Sequence, residues 1–217
     1  MKTRLTPVLS SEQAAAFYDA MLADVLVASL DFARRLELEP FLHFDPPEAR
    51  EELAVRAPQA YALVPQRGPG LAERMANAFS DAFEARGAVE VGCPALLLRG
   101  SDSPGLDFET VEEALTRLEA GADLVLTPDQ GGGYALIGMK NPHPSLFELT
   151  LSTESVLDET LDRARALGLA VAQTRPSFDL DVPADLARLD ALPPARSLDL
   201  CPRTVRFRET LHRIGVL

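Results

Sequence analysis

The chain has 217 residues, of which 47% are hydrophobic and 25% charged, which suffices for one sizeable core and excludes a disordered composition. Its formal net charge of −12 argues against a general surface for nucleic acid or anionic membrane, and an anionic substrate would need a local basic pocket. Because the two cysteines are far apart, and the sequence shows neither a membrane-length apolar run nor a signal pattern, we expect a reduced, cytoplasmic enzyme or binding protein without a membrane span.

The first part of the chain alternates predicted helices and strands. Apolar residues at helical spacing predict a long helix over residues 10–35, which Ser10 or Ser11 can cap. A strand over 38–44, a helix over 46–57, a short strand over 61–64 and a helix over 70–85 follow. This order is typical of βαβ units.

The alternation continues in the second part of the chain. The predicted elements are a strand over 95–99, a helix over 108–119 capped by Asp107, a strand over 123–127, a strand or strand-like return over 134–139, a helix over 152–167 and a strand over 170–174. The pattern predicts an α/β fold, with a mostly parallel sheet covered by helices on both faces. We expect one domain over residues 1–192 and a proline-punctuated C-terminal extension over 193–217 packed on it.

An acidic residue follows the apolar run Ala95-Leu96-Leu97-Leu98. The run stops at Arg99-Gly100-Ser101-Asp102-Ser103-Pro104, and it therefore predicts a buried strand with Asp102 at its carboxyl end. Open α/β sheets bind ligands at that edge. A carboxylate there can hold a divalent cation against a phosphate. The alternative is that Asp102 only caps the turn before the next helix.

A second acidic cluster is Asp179-Leu180-Asp181, followed by Val182-Pro183. Two carboxylates separated by one residue on an extended segment point the same way, so Asp179 and Asp181 could surround one cation together with Asp102. The alternative is structural, because a proline soon after Asp181 fits the first turn of a helix that Asp181 would cap.

Three further segments are candidates for phosphate or ligand contacts. The run Gly131-Gly132-Gly133 allows a close approach of ligand to backbone, although a plain turn would look the same. Gln66-Arg67-Gly68 precedes a helix that carries Arg74, and arginine suits bidentate phosphate contacts, although a surface charge pair is the alternative. Lys2 and Arg4 would lie in a strand-to-helix loop, where phosphates collect, unless they form a solvated terminus.

Six sets of residues, taken in order, resemble one protein family. They are Lys2-Thr3-Arg4-Leu5; Pro65-Gln66-Arg67-Gly68 with Leu71 and Glu73-Arg74-Met75; Gly100-Ser101-Asp102-Ser103-Pro104; Gly132-Gly133-Tyr134 with Leu136-Ile137-Gly138; Ser152-Thr153; and Asp179-Leu180-Asp181 with Pro183 and Asp185-Leu186. Their order and spacing resemble the bacterial DUF2064 family of glycosyltransferase-like proteins, of the arsenosugar-biosynthesis type. The resemblance implies a GT-A-like nucleotide-diphospho-sugar transferase fold: a three-layer α/β/α domain with a mostly parallel mixed sheet.

The resemblance also implies roles for residues of this chain. Asp102 would be the metal and diphosphate site, and Asp179 and Asp181 would supply further ligands to a divalent cation, Mg²⁺ or Mn²⁺. The implied contacts to a nucleotide-sugar donor and a small-molecule acceptor are Lys2, Arg4, Gln66, Arg67, Arg74, Ser101, Gly132, Gly133 and Tyr134. Asp129 and Glu154 are the candidates for a base that activates the acceptor hydroxyl.

The chain departs from the family pattern at two places. Gly131 stands where the family has an acidic residue before the paired glycines, and Met1 stands where it has valine before the lysine. We hypothesise that a GTG valine codon was read as the start, so that the first strand of the sheet is missing from this chain. An open strand edge would then favour a homodimer.

The function implied is the transfer of a sugar from a nucleotide-diphosphate donor to a small-molecule acceptor, assisted by a divalent cation. Two alternatives remain open at this point. One is a nucleotidyltransferase of the same fold, because fold alone does not choose the reaction. The other is a non-catalytic nucleotide-binding relative, which the two departures favour and the retained aspartates oppose.

Overall fold

The computed structural model describes residues 3–87, 95–148 and 155–216. The helices of these ranges are α1 (Ser11–Arg35), α2 (Arg50–Arg56), α3 (Leu71–Gly87), α4 (Phe108–Glu119), α5 (Val156–Ala166), α6 (Leu186–Ala191), α7 (Pro194–Leu200) and α8 (Pro202–Arg213). The strands are β1 (Phe41–Phe44), β2 (Ala62–Pro65), β3 (Leu96–Arg99), β4 (Leu124–Pro128), β5 (Tyr134–Met139) and β6 (Val171–Gln173). The predicted order of helices and strands is thereby confirmed over these ranges.

Side-chain caps explain where helices α1 and α4 begin. Ser10 Oγ accepts a hydrogen bond from the Gln13 amide at 3.1 Å, and Gln13 Oε1 accepts one from the Ser10 amide at 2.8 Å. This reciprocal capping box satisfies backbone donors that the first turn of α1 leaves unpaired. Asp107 caps α4 through the Thr110 amide at 3.0 Å, as its sequence position predicts.

The main sheet has four strands in the order β3-β5-β4-β6. β5 runs antiparallel to both of its neighbours, and β4 pairs in parallel with β6. Three of the four strands therefore share one direction, and the return strand β5 makes the sheet mixed. A separate two-stranded sheet contains β1 and β2 in parallel.

Side chains of the main sheet alternate between two apolar layers, as strand geometry requires. One face packs on α3 and α5 through Leu124, Leu126, Ile137 and Met139. The other face, with Val125 and Leu136, packs on α1 and α4. The sheet is thus covered by helices on both sides, which gives the expected α/β/α layers.

A wide cleft lies between the two sheets. β1 lines one side of it and β3 the other, while α1 and α3 contribute residues such as Val25 and Phe79. Among the described strands β1 pairs only with β2, and β3 pairs only with β5. The cleft therefore separates the strands that a continuous sheet would join, and residues 100–103, which directly follow β3, contribute to its lining.

The C-terminal helices pack against the beginning of the chain. Leu200, Cys201 and Leu211 share a buried apolar cluster with Phe17 and Met21 of α1. The buried carboxylate of Asp24 accepts hydrogen bonds from the Thr204 amide at 2.8 Å and from the Thr204 hydroxyl at 2.9 Å. Residues 193–216 thus complete a core that α1 leaves exposed. No helix in the described ranges is long and apolar enough to cross a bilayer.

Candidate functional site

Asp102 lies in the tight turn that follows β3. The backbone carbonyl of Asp102 accepts a hydrogen bond from the Leu180 amide at 3.0 Å. This contact ties the turn to the second acidic segment, which follows β6 in the chain. Tyr18 of α1 holds the same turn from the other side, because its hydroxyl lies 2.9 Å from Ser101 Oγ. The two acidic motifs of the sequence therefore meet at one edge of the sheet.

Asp129 follows β4 and organises the glycine run. Its Oδ1 accepts hydrogen bonds from the Gly131 amide at 2.7 Å and from the Gly133 amide at 2.9 Å. Gly132 has a φ of +83°, a left-handed conformation that favours glycine. A Cβ at Gly133 would lie 2.7 Å from Asp129 Oδ2, so only glycine fits there without displacement. The carboxylate thus shapes the turn that borders the cleft.

Asp179, Asp181 and Asp185 lie beside two arginines. Arg4 Nη1 lies 2.8 Å from Asp181 Oδ2. Arg188 of α6 lies 3.1 Å from Asp185 Oδ1 and 4.0 Å from Asp179 Oδ1. Asp185 Oδ2 accepts hydrogen bonds from the Asp181 and Val182 amides, at 2.9 and 2.8 Å, and so fixes the backbone of the acidic segment. Asp185 is therefore a structural carboxylate.

Negative charge accumulates around Asp179. Burial, together with the carboxylates of Asp129, Asp102 and Asp185, raises the pKa of Asp179 to about 6. These groups disfavour the ionised form of Asp179 because its charge is partly removed from water and placed near like charges. A bound cation would relieve this repulsion.

The structure places the other predicted contacts in different surroundings. Gln66 lies at the cleft, whereas Arg67 and Arg74 lie outside its described lining. Arg67 pairs with Asp81 of α3, and Arg74 pairs with Asp45 at 2.8 Å. Both arginines therefore form ion pairs outside the described lining of the cleft. Lys2 and Glu154 lie outside the described residues.

Tyr134, at the start of β5, contributes a buried wall. Its hydroxyl is buried and accepts or donates no hydrogen bond of ordinary geometry within the described residues. Burial raises the pKa of Tyr134 to about 12. The ring packs in the same apolar layer as Phe79 and Leu126. Tyr134 is thus held neutral at one side of the cleft.

These side chains line one continuous cavity of about 1180 Å³. Of the sequence candidates, it brings together Arg4, Gln66, Ser101, Asp102, Asp129, Gly133, Tyr134, Asp179 and Asp181. Its volume exceeds the roughly 300–1,000 Å³ of ordinary ligand pockets.

The acidic groups suit a cation that is shared with a ligand better than an ion held by protein alone. Within the described residues, no three His, Cys, Asp or Glu side chains are gathered closely enough to hold a metal ion. Mg²⁺, however, is usually bound by one or two carboxylates together with substrate phosphates. The oxygen donors of Asp102 and Asp179 fit this chemistry.

Two residues of the site, Tyr18 and Arg188, were not predicted from the sequence. Tyr18 follows the core residue Phe17 within a continuous helical pattern, and nothing local sets its hydroxyl apart. Arg188 does carry a signal, because it lies three residues after Asp185 on adjoining helical turns, a spacing typical of ion pairs.

Comparison with known proteins supports the same fold. A crystal structure from Desulfovibrio desulfuricans G20, of a protein provisionally assigned as a nucleotide-diphospho-sugar transferase, is 26% identical, with a TM-score of 0.81, covering 98% of this chain and 90% of that one. The Mycobacterium sp. strain JC1 homologue of Mycobacterium tuberculosis rv0371c is 20% identical, with a TM-score of 0.49, covering 77% and 81% of the two chains. No protein of curated function matches the sequence.

The first of these structures supports the GT-A-like fold of nucleotide-diphospho-sugar transferases for this chain. The family model described as an uncharacterised protein conserved in bacteria (DUF2064) matches residues 28–151. That range covers more than half of the chain and includes β3, the Asp102 turn and the glycine run. The chain belongs to the DUF2064 family.

Proposed function

We propose that the protein transfers a sugar from a nucleotide-diphosphate donor to a small-molecule acceptor within the large cleft. The observation that carries this proposal is the convergence of Asp102, Asp129 and Asp179 on one cavity, in a fold similar to a provisionally assigned nucleotide-diphospho-sugar transferase. Ligands of open α/β sheets lie at this edge.

The departing nucleoside diphosphate needs positive charge, because negative charge develops on it as the sugar leaves. Arg4 lines the cavity and can supply part of that charge if its guanidinium exchanges its contact with Asp181 for a donor phosphate. We further propose that Asp102 and Asp179 hold a divalent cation, Mg²⁺ or Mn²⁺, against the donor phosphates; such an ion supplies Lewis-acid stabilisation of the leaving group.

Asp129 is the proposed base within the described residues. Its Oδ1 is engaged by two glycine amides, which fixes the orientation of the carboxylate. Proton transfer to a fixed carboxylate requires the acceptor hydroxyl to come within hydrogen-bond reach. Glu154, the second candidate, stays a prediction because it lies outside the described residues.

Isothermal titration calorimetry with UDP- and GDP-sugars, with and without Mn²⁺, tests the proposal. We expect binding that depends on Mn²⁺ and that Asp102→Ala weakens at least tenfold. Asp162→Ala, which removes an exposed carboxylate of α5, is the matched control and should bind as the wild type does. Absence of binding in both conditions would contradict the proposal and favour a non-catalytic relative.

Turnover distinguishes binding from transfer. Release of nucleoside diphosphate that depends on an added acceptor would support sugar transfer, and Asp129→Asn should lower that rate with little effect on donor binding. Release of pyrophosphate from a nucleoside triphosphate would instead indicate a nucleotidyltransferase.

A further inference from the structure

Arg99, the last residue of β3, is a partly buried arginine that lines the cleft and forms no ion pair with a carboxylate of the described residues. Its Nη1 donates to Ser29 Oγ at 3.1 Å, and its Nη2 donates to the Ser103 carbonyl at 2.6 Å. Its Nε is buried and makes no hydrogen bond within the described part of the chain. Both acceptors are neutral, so no direct ion pair within the described ranges balances the positive charge.

Other half-buried arginines of this protein are paired differently. Arg203 contacts the buried carboxylate of Asp24 at 3.2 Å, and Arg188 contacts Asp185 at 3.1 Å. No ion pair joins Arg99 to a carboxylate of the described residues, and Asp102 acts on it only through the longer-range electrostatic field. Burying a charge without a partner is costly. Burial accordingly lowers the pKa of Arg99 to about 10, which still leaves the side chain charged at neutral pH.

The surroundings of Arg99 are open to a ligand. Arg99, Ser29, Tyr61 and Ser103 all line the large cavity. The hydroxyl of Tyr61 donates to the Leu26 carbonyl at 2.8 Å, and that of Ser29 donates to the Val25 carbonyl at 2.7 Å. These bonds hold neutral polar groups around the guanidinium. A planar guanidinium with an unused Nε suits the two oxygens of a carboxylate or phosphate.

We propose that Arg99 binds an oxyanionic group, a carboxylate or a phosphate, of a small molecule held in the cleft between β1 and β3. The group would accept hydrogen bonds from Nε and from a remaining Nη hydrogen, and it would balance the buried charge. We identify this molecule with the sugar acceptor, and that identification rests on the proposed function. The oxyanion site itself does not rest on it.

Thermal denaturation at constant ionic strength, with inorganic phosphate or acetate as the probe, tests the site in the full chain without nucleotide sugar. We expect at least one of the two anions to raise the Tm of the wild type, and Arg99→Met to abolish that rise. A response to phosphate alone identifies a phosphorylated ligand, and a response to acetate alone identifies a carboxylate. Arg117→Met, at an exposed arginine of α4, is the control that should keep the response.

The Tm without anion separates this proposal from a purely structural role. Removal of an unbalanced buried charge should leave the Tm of Arg99→Met equal to or above that of the wild type. A lower Tm with an unchanged anion response, or a wild type that responds to neither anion, would overturn the proposal.

A second measurement does not depend on the methionine variant folding. The Nε–H resonance of Arg99 in the wild type, assigned by its loss in Arg99→Lys, should shift on titration with the anion that raises the Tm. Failure of donor binding in calorimetry would leave this result intact, because no nucleotide sugar is present. An Nε–H resonance that does not move would count against the site.

Discussion

Asp107 combines a helix cap with two ion pairs. Its Oδ1 accepts hydrogen bonds from the Thr110 amide at 3.0 Å, the Thr110 hydroxyl at 2.6 Å and Arg175 Nη2 at 2.6 Å, while Arg196 contacts Oδ2. Burial alone would raise the pKa of this carboxyl, but the Thr110 hydrogen bonds and Arg175 outweigh it and lower the pKa. The ionised form of Asp107 therefore stabilises the fold.

Asp107→Asn is expected to lower the free energy of unfolding at pH 7 by about 1.5–3 kcal/mol, the usual range for hydrogen bonds to charged groups. Asparagine still caps a helix, so the loss reports the charge. Because the folded-state pKa is below the ordinary 3.8, this stabilisation is complete above that value and is lost as the pH falls through the folded-state pKa. Urea unfolding of both proteins at pH 7 checks the size of the loss, and a series that continues to pH values below 3.8 checks the trend.

Asp31→Asn is the control for Asp107→Asn, because Asp31 forms an exposed pair with Arg35 at 3.6 Å. Exposed pairs contribute about 0–1 kcal/mol, so this variant should unfold almost as the wild type does. An equally small effect of Asp107→Asn would show that Arg175 and Arg196 contribute little.

At the scale of elements, signals within a few residues predicted where helices begin, but they did not predict which strands pair. The Asp107 cap and the Ser10 capping box are encoded within four residues, and both are confirmed. The pairing of β5 with β3 joins residues that are far apart in the chain, such as Leu96 and Met139, and no local pattern specifies it. Helices α7 and α8 begin at Pro194 and Pro202. Proline at the first helical position is a known helix-start signal, so both helix starts are also encoded locally.

The candidate site, too, could be predicted from the sequence only in part. Asp102 and Asp179 follow predicted strands, so their meeting at one sheet edge could be anticipated from topology. The pairing of Arg67 with Asp81 could not, because it depends on how α3 is rotated against the preceding loop. The sequence predicts Arg99 only as the end of an apolar strand, and only the fold shows that its Nε is buried and makes no hydrogen bond to any described residue.

The junction of α1 with α8 depends on one buried carboxylate. Asp24 accepts hydrogen bonds from the Thr204 amide and hydroxyl and contacts Arg203 Nη1 at 3.2 Å. It therefore satisfies donors at the N-terminus of α8, where a negative charge is also favoured by the helix dipole. Asp24→Ala leaves these donors buried and unpaired.

Removal of one partner of a buried charged pair costs about 3–5 kcal/mol. We expect a loss toward the lower end for Asp24→Ala, since Arg203 is half exposed and can be solvated. Chemical denaturation measures this loss. Relative to the wild type, Asp24→Ala should accelerate amide hydrogen exchange more in α8 than in α4. Uniform exchange in both helices would contradict a local role for Asp24.

At the scale of the whole molecule, the mouth of the cleft exposes apolar surface. Phe41 at the start of β1 is 45% exposed, and Leu71 at the start of α3 is 52% exposed. Both line the cavity, beside strand edges that have no partner within the described residues. An open edge flanked by apolar side chains is a template for pairing with another chain.

We therefore predict that the protein self-associates into a homodimer through the mouth of the cleft. Light scattering over a range of protein concentrations should show a dimer that dissociates on dilution, and Phe41→Glu should shift the mass to that of the monomer because a charge would be buried at the contact. Leu167→Glu is the matched control, since Leu167 is similarly exposed, at 44%, and does not line the cavity. A wild type that stays monomeric at every concentration would refute the prediction. Dissociation caused equally by both variants would place the contact elsewhere.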